Sequence, residues 1–501
     1  MHVKIPQSLT QKRFCVAGQG EAILLTRINP IWLIWRKLCE FKRFIKLKLN
    51  IDGGLNFDQQ TALSGGSVKK LLDTVLDRIS DRQISFAIGK IYALKVGGAA
   101  MAYFVQLAVA FFLGAANYGV FALAWIIATT LGQICCSGFN DTTGRFLPGY
   151  LIVKDFARAR GFVHFALLFT TAVSVAVATL LVITTVFMRP LLPEIYFLPV
   201  LLALVCVPAL TFTHLKESIA VSRSLIFSGL FPTYILRPLV LTVFTALVAI
   251  IAHNNTTKVA VIGLLLASYT VAVIQWRFLK KPLNNELGSG EKIVEAAHWI
   301  KVSLPLFLAQ GFFVLTTSAD VLILSFFVEP EQLGIYFASV KMVALLSFIH
   351  VAVASGITRR LSEAWANNDV PGLRQQLRKG RIWMVAPTLV GAGFLVFSAP
   401  FLLSMFGPEF TSGSVIVTIL IAGVVAQAAG GPIQEVLIVS GHQKAVSLII
   451  GTFFVLNLIL SLLLVKSLGM IGVAIASATT VSARIAIMYL FAYMRAPILS
   501  D

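Results

Sequence analysis

Six ionisable side chains fall within or at the edge of apolar stretches long enough to cross a bilayer: Lys95, Arg237, Asp320, Lys341, Glu435 and Arg484. A charge in hydrocarbon is costly, so such residues usually face a bundle interior and mark ion or substrate paths. Asp320 stands about seven residues before the end of its stretch and Lys341 about eight residues into the next, which at ~1.5 Å per residue puts them at similar depth. An ion pair between them is expected, either structural or part of transport coupling. Arg237 and Arg484 have no carboxylate at matching depth, and a guanidinium fork suits bidentate binding of phosphate. Arg484, about ten residues from either end of its span, is therefore the strongest candidate contact for an anionic substrate in a cavity. Lys341, Arg237 and Lys95 are weaker candidates, and Arg237 is close enough to one end to snorkel to the headgroups instead. Glu435 follows Gly430, Gly431 and Pro432, a sequence that marks a broken or kinked helix.

Motifs of soluble catalysis are missing. No Gly-rich loop ends in Gly-Lys-Ser/Thr, so ATP hydrolysis is not expected, and there is no His-Glu-x-x-His, Gly-x-Ser-x-Gly or Asp-x-Asp. Of the scattered histidines, His164, His214, His298 and His350 sit near the ends of apolar stretches and read as packed or interfacial side chains. The five cysteines (Cys15, Cys39, Cys135, Cys136 and Cys206) have neither metal-ligand spacing nor the pattern of a disulfide framework. The sequence assigns no catalytic residue, no cofactor and no metal.

The elements that must position the charged residues follow from composition. Of 501 residues, 57% are hydrophobic and only 13% charged, against about 25% charged in soluble domains, and mean hydropathy is +0.86. The expected fold class is all-α, a polytopic membrane protein. With about 20 apolar residues per crossing, twelve spans are placed near 91–113, 119–138, 161–188, 195–213, 232–252, 259–278, 302–327, 333–357, 382–405, 413–438, 445–465 and 469–494. Residues 1–86 form a polar, basic extension. Within it Ser67 to Arg82 places Leu71, Leu72, Val75, Leu76 and Ile79 on one helical stripe with Ser67 as N-cap, a short helix that lies on the membrane or docks a partner.

Net charge is +19, and its distribution speaks for topology rather than for nucleic acid. Loops on one side carry nineteen Lys and Arg residues, among them Arg158, Arg160, Arg277, Lys280, Arg374 and Arg378. The other side carries three: Arg189, Lys258 and Lys466. Basic loops stay in the cytoplasm, so both termini are expected there. The opposite loops are too short to house an enzyme.

The two halves repeat. At an offset of 215, Asn117-Tyr118-Gly119-Val120-Phe121 falls on Gln332-Leu333-Gly334-Ile335-Tyr336, Arg145 on Arg360, and Pro193-Glu194 on Pro408-Glu409. This register predicts two six-helix lobes, 87–279 and 302–495, around a central cavity. A cytoplasmic linker at 280–301 joins them, and 496–501 form a tail. Parallel repeats of this kind rock about a shared site to give alternating access.

Several stretches resemble the multidrug, oligosaccharidyl-lipid and polysaccharide (MOP) exporter superfamily, in particular its polysaccharide or O-antigen flippase branch. They are Ala319-Asp320-Val321-Leu322-Ile323-Leu324-Ser325, Leu333-Gly334-Ile335-Tyr336, Met405-Phe406-Gly407-Pro408-Glu409-Phe410, Gly430-Gly431-Pro432-Ile433 with Ser440-Gly441-His442, and Gly469-Met470-Ile471-Gly472-Val473-Ala474-Ile475-Ala476. The resemblance implies a flippase that carries an undecaprenyl-pyrophosphate-linked oligosaccharide across a bacterial inner membrane through a cationic cavity, for surface polysaccharide synthesis. Its implied partners are the bilayer, the lipid-linked oligosaccharide, and a polysaccharide polymerase with chain-length proteins. Unlike drug-efflux relatives, 91–113 holds no acidic residue; unlike the lipid II flippase branch, twelve spans are counted rather than fourteen. The competing readings are a cation-coupled exporter of small amphipathic molecules and a membrane-embedded glycosyltransferase or polymerase.

Overall fold

The computed structural model describes residues 61–495 apart from 224, 253–256 and 368, with side chains from residue 97 onward at most positions. By internal contacts the chain divides into Met1–Asp81 and Arg82–Asp501. The stretch Ser67 to Arg82 is helical, but inside a longer helix beginning at Thr61, so Ser67 is not its N-cap. The apolar stripe expected there lies outside the described side chains, as does the side chain of Lys95.

The described backbone is all-α: α1 (Thr61–Ile134), α2 (Phe139–Ile152), α3 (Phe156–Phe187), α4 (Glu194–Ser222), α5 (Ile226–Phe231), α6 (Arg237–Ala252), α7 (Thr257–Leu287), α8 (Ala296–Phe327), α9 (Pro330–Ala366), α10 (Val370–Ser404), α11 (Ser414–Ala429), α12 (Ile433–Val439) and α13 (Gln443–Arg495). Among the described residues ten elements are long and apolar enough to cross a membrane, where twelve spans were expected. The difference lies in two of them, 53 and 52 residues long. Straight, each would measure about 80 Å at ~1.5 Å per residue, far beyond the roughly 30 Å hydrocarbon core.

Neither is straight. Gly114 (φ 71°) and Gly469 (φ 54°) leave the helical region for backbone that glycine adopts at low cost. Side chains on the two arms then touch. Tyr118 Oη donates to Gln106 Oε1 at 3.0 Å within α1, and Asn457 Nδ2 donates to Thr480 Oγ1 at 3.0 Å within α13. Both helices are hairpins.

In the first half α3, α4, α6 and α7 pack on one another; in the second α9, α10, α11 and α13 do so. At the weakly charged end the halves share one apolar core. There Tyr118, Phe121, Phe337, Phe406 and Phe410 are at most 1% exposed, with the Tyr118 ring 5.7 Å from Phe337 and 5.9 Å from Phe410. α1 and α9 cross at this end with Gly119 against Gly334. At the basic end the core splits in two, one part around Phe139, Leu147, Phe162 and Leu215, the other around Leu361, Leu373, Ile433 and Met488.

The segment between the halves is shorter than expected. Leu279, Leu283 and Leu287 recur every four residues, and burying that stripe carries α7 through a polar sequence to Leu287. Only 288–295 are non-helical, and they are strapped to the first half. Arg158 bridges Asp155 and Glu295, each at 2.8 Å, and Ile293 N–H donates to the Ala157 carbonyl at 3.2 Å.

Helix α8 serves both halves, whereas the second lobe was expected to begin at 302. Trp299 is fully buried in the core of the first half, its Nε1 donating to Tyr150 Oη at 3.0 Å, and Ser303 shares a 2.8 Å hydrogen bond with Thr142. Farther along, Asp320 is bonded to α13.

Candidate functional site

The expected Asp320–Lys341 ion pair does not form. Asp320 Oδ2 instead accepts from Tyr336 Oη at 2.8 Å and from Ser477 Oγ at 2.7 Å. The reason is azimuth: Lys341 follows Tyr336 by five residues, about 140° around the helix, so the turn of α9 that faces Asp320 points Lys341 elsewhere. Similar depth was necessary for pairing and was not sufficient.

Asp320 heads a polar cluster within the second half. Asn457 Nδ2 donates to Ser477 Oγ at 3.2 Å as well as to Thr480, and Ser461 Oγ donates to Asn457 Oδ1 at 3.2 Å. Among the described residues Asp320 Oδ1 is buried without a partner. Rotating the Asn457 amide by half a turn would aim its carbonyl oxygen at Ser477 and Thr480, making a set of oxygens suited to a hard monovalent cation. Sequence reasoning missed Asn457, Ser461, Ser477 and Thr480. Their signal was polar side chains at helical spacing, 457 with 461 and 477 with 480, inside otherwise apolar spans.

Lys341 lies one turn beyond Phe337, its Nζ 4.7 Å from the centre of that ring, and Phe337 in turn packs on Tyr118 of the first half. Lys341 is thus carried on the face of α9 turned toward the other half, next to the aromatic seal. Among the described residues Lys341 makes no ion pair.

Arg237 is neither a snorkelling nor a cavity-facing residue. It is 6% exposed, donates from Nη2 to Thr213 Oγ1 at 2.9 Å, and has Glu217 and Tyr234 as electrostatic neighbours. The sequence reading ended the preceding span near 213 and so left Glu217 outside it, whereas α4 runs on to Ser222.

Glu435 does follow a broken helix. Gly431 (φ 57°) and Pro432 separate α11 from α12, and Tyr489 Oη donates to the freed Gly430 carbonyl at 2.8 Å. Glu435 Oε1 stands 4.0 Å from His350 Nε2, and Arg484 lies within electrostatic reach of His350. No described contact joins Arg484 to Lys341. For Lys95 only the helical backbone is described. Among the described residues, no group of three or more His, Cys, Asp and Glu side chains gathers in a way that could hold a metal ion.

No protein-family model matches the chain. A stretch of 164 residues, 32% of this chain, is 28% identical to the probable low-salt glycan biosynthesis flippase Agl15 of Haloferax volcanii. The chain spans about a third, 34%, of the length of that curated relative. Among solved structures, the inward-facing conformation of a multidrug resistance MATE family transporter of the MOP superfamily aligns at TM-score 0.63 and 12% identity, covering 81% of this chain and 98% of that one. The lipid II flippase MurJ in an inward closed conformation aligns at TM-score 0.61 and 14% identity, covering 80% and 86%. The fold is that of the MOP-superfamily transporters, in agreement with the resemblance carried by the sequence motifs.

Proposed function

We propose that this chain is a flippase for a lipid-linked, undecaprenyl-pyrophosphate-bound oligosaccharide, working by alternating access in a bacterial inner membrane with both termini in the cytoplasm. One observation carries the reading. Among the described residues Lys341 has no carboxylate partner, and it is held on the face of α9 turned toward the other half, just beside a closed aromatic seal. An ammonium in a low-dielectric interior attracts a diphosphate strongly, and a seal at one end above separate cores at the other suits a substrate received from the basic, cytoplasmic side. The sequence similarity to a glycan flippase favours a lipid-linked glycan over a small drug.

Counting α1 and α13 as two passes each, the chain crosses the membrane twelve times, and the repeat divides it into two lobes joined through 288–295. The Asp320 cluster would take the coupling cation, since its free oxygen lies in the half that also carries Lys341. Deletion of the gene should remove surface polysaccharide and accumulate lipid-linked precursor, and the Lys341→Gln variant should fail to restore it at normal protein level. Unchanged surface polysaccharide with altered sensitivity to cationic drugs would replace this reading with the amphipathic-molecule exporter.

A further inference from the structure

Helix α8 is held from two sides at one depth. Thr130 Oγ1 of α1 donates to Ser318 Oγ at 2.8 Å, and both residues are buried, at 5% and 4% exposure. Two residues on, Asp320 accepts from the hydroxyls of Tyr336 and Ser477 in the second half. Two residues of helix are about 200° of rotation and ~3 Å of rise, so the first half grips one face of α8 and the second half the opposite face. Thr130 lies eleven residues beyond Gly119 and Ser318 twelve before Pro330, the two residues that touch where α1 crosses α9. Both therefore stand about 17 Å inward of that crossing, at mid-membrane.

The Thr130–Ser318 bond is neither duplicated nor irreplaceable. At the repeat offset of 215 Thr130 falls on Leu345 and Ser318 on Tyr103, and a leucine side chain offers no hydrogen bond, so the related seam has no such pair. A helical threonine can also give its hydroxyl to its own helix, as Thr129 does to the Trp125 carbonyl at 2.7 Å. Thr130 released from Ser318 therefore keeps a partner, and the bond breaks at low cost. On the other face, Asp320 Oδ1 has no partner among the described residues. A cation entering the cluster draws Oδ1 and the oxygens of Ser477 and Thr480 around one point. Oδ1 rides on α8 and the two hydroxyls on α13, so α8 moves toward α13, and Ser318 on the far face moves away from Thr130. A 2.8 Å hydroxyl bond is lost by about 3.5 Å, so less than about 1 Å of travel is enough.

We propose that Thr130 and Ser318 are positioning residues that report cation binding at Asp320 to the first half: their bond holds the seam between α1 and α8 closed without the ion and parts when sodium enters. The inference rests on the coupling-cation reading of the cluster above and adds the contact through which coupling passes. Coupling needs a ligand that distinguishes two positions of one element, and a contact between the halves that exists in only one of them. The two grips on α8 supply both. The seam runs outward to the crossing at Gly119, so its parting loosens the aromatic seal. One neutral hydroxyl bond shifts such a balance about two- to tenfold, enough to bias the halves without locking them. The other hydroxyl pair between α8 and the first half, Thr142 with Ser303, lies ~22 Å along the helix from Ser318 and stays out of the relay.

The test uses the full-length chain in detergent, cleared of its native cysteines and carrying Ala122→Cys in the buried core at the weakly charged end. Labelling by a thiol reagent is timed in sodium chloride and in N-methylglucamine chloride of equal ionic strength. Sodium should raise the rate about two- to tenfold. Thr130→Val should label faster by the same factor without sodium and gain less than about twofold from it. Ser318→Ala should do likewise, and the two together no more than either alone. Ser318→Thr keeps the hydroxyl and should keep the response, and Ser303→Ala should keep the sodium factor whatever its starting rate. If Ser318→Ala aggregates on gel filtration, Thr130→Val, a change of nearly equal shape, carries the test. A full sodium response in Thr130→Val overturns the relay and leaves the coupling reading standing, and so does a response lost equally in Ser303→Ala, which marks general loosening of the seam. A parent chain whose rate sodium does not raise, like its Asp320→Asn variant, overturns the cation reading of the cluster and this inference with it.

Discussion

Gly119 of α1 and Gly334 of α9 meet backbone to backbone, and the repeat offset of 215 carries one onto the other. A Cβ on Gly119 would strike the Pro330 carbonyl oxygen, and one on Gly334 would strike the Ala115 carbonyl oxygen; Ala115 and Pro330 are related by the same offset. Each half therefore presents the same patch to the other, as in an isologous dimer. The symmetry fails at one atom. Ala115 N–H, freed by the break at Gly114, donates to Glu409 Oε1 of the second half at 3.3 Å, whereas proline at 330 has no N–H to offer.

Adding bulk at this crossing should open the weakly charged end. Overpacking costs about 1–3 kcal/mol, which shifts a two-state balance roughly five- to a hundredfold. In a chain cleared of its native cysteines, Ala122→Cys, a buried position, should resist a thiol reagent. Adding Gly334→Val should raise its labelling rate at least about fivefold on the same arithmetic. Equal rates would show that the crossing does not set the balance.

Lys341 should matter for its charge. Losing a charge-assisted hydrogen bond costs about 1.5–3 kcal/mol, so Lys341→Gln should weaken binding of farnesyl diphosphate by roughly ten- to a hundredfold, while Lys341→Arg retains most of it. Measuring both in detergent decides the matter, because a role confined to packing on Phe337 would spare the glutamine variant.

Asp320 should govern coupling rather than substrate affinity. Asparagine keeps acceptors for Tyr336 and Ser477 and removes the charge, so Asp320→Asn in proteoliposomes should lose its response to imposed sodium or proton gradients while binding the diphosphate normally. Tyr336→Phe leaves the carboxylate short of a donor and should cost about 1–3 kcal/mol of stability, read as a lower melting temperature. A gradient response preserved in Asp320→Asn would remove this cluster from the mechanism.

Topology can be checked by single cysteines at 370 and 412 in the cysteine-free chain. Position 370 opens α10 at the basic end, and 412 is an exposed position of the turn Pro408–Gly413 at the opposite end. A membrane-impermeant thiol reagent should spare 370 in intact cells and reach it only after lysis. The converse pattern, with 370 labelled and 412 not, inverts the assigned orientation.

The repeat and the apolar runs were readable because both are one-dimensional: hydropathy and a fixed offset survive without coordinates. Depth was readable for Asp320 and Lys341, since rise per residue is constant, but not for Glu217, which lies in a part of α4 beyond the expected span end. Azimuth was not. Lys341 and Asp320 matched in depth and diverged in direction. The polar cluster around Asp320 escaped for a related reason. Asn457 and Thr480 are 23 residues apart in sequence, and only the hairpin at Gly469 brings them together.

Burial of Trp299 in the first half's core makes the covalent junction at 288–295 redundant as a tether. The chain crosses from one half to the other not where it leaves α7 but along α8, whose first turns are already docked before the second half begins. Two polypeptides divided between Ser289 and Gly290 would each keep the surface they need to find the other, the indole acting as a plug carried by the C-terminal fragment. Such a gene could be split and co-expressed as a heterodimer.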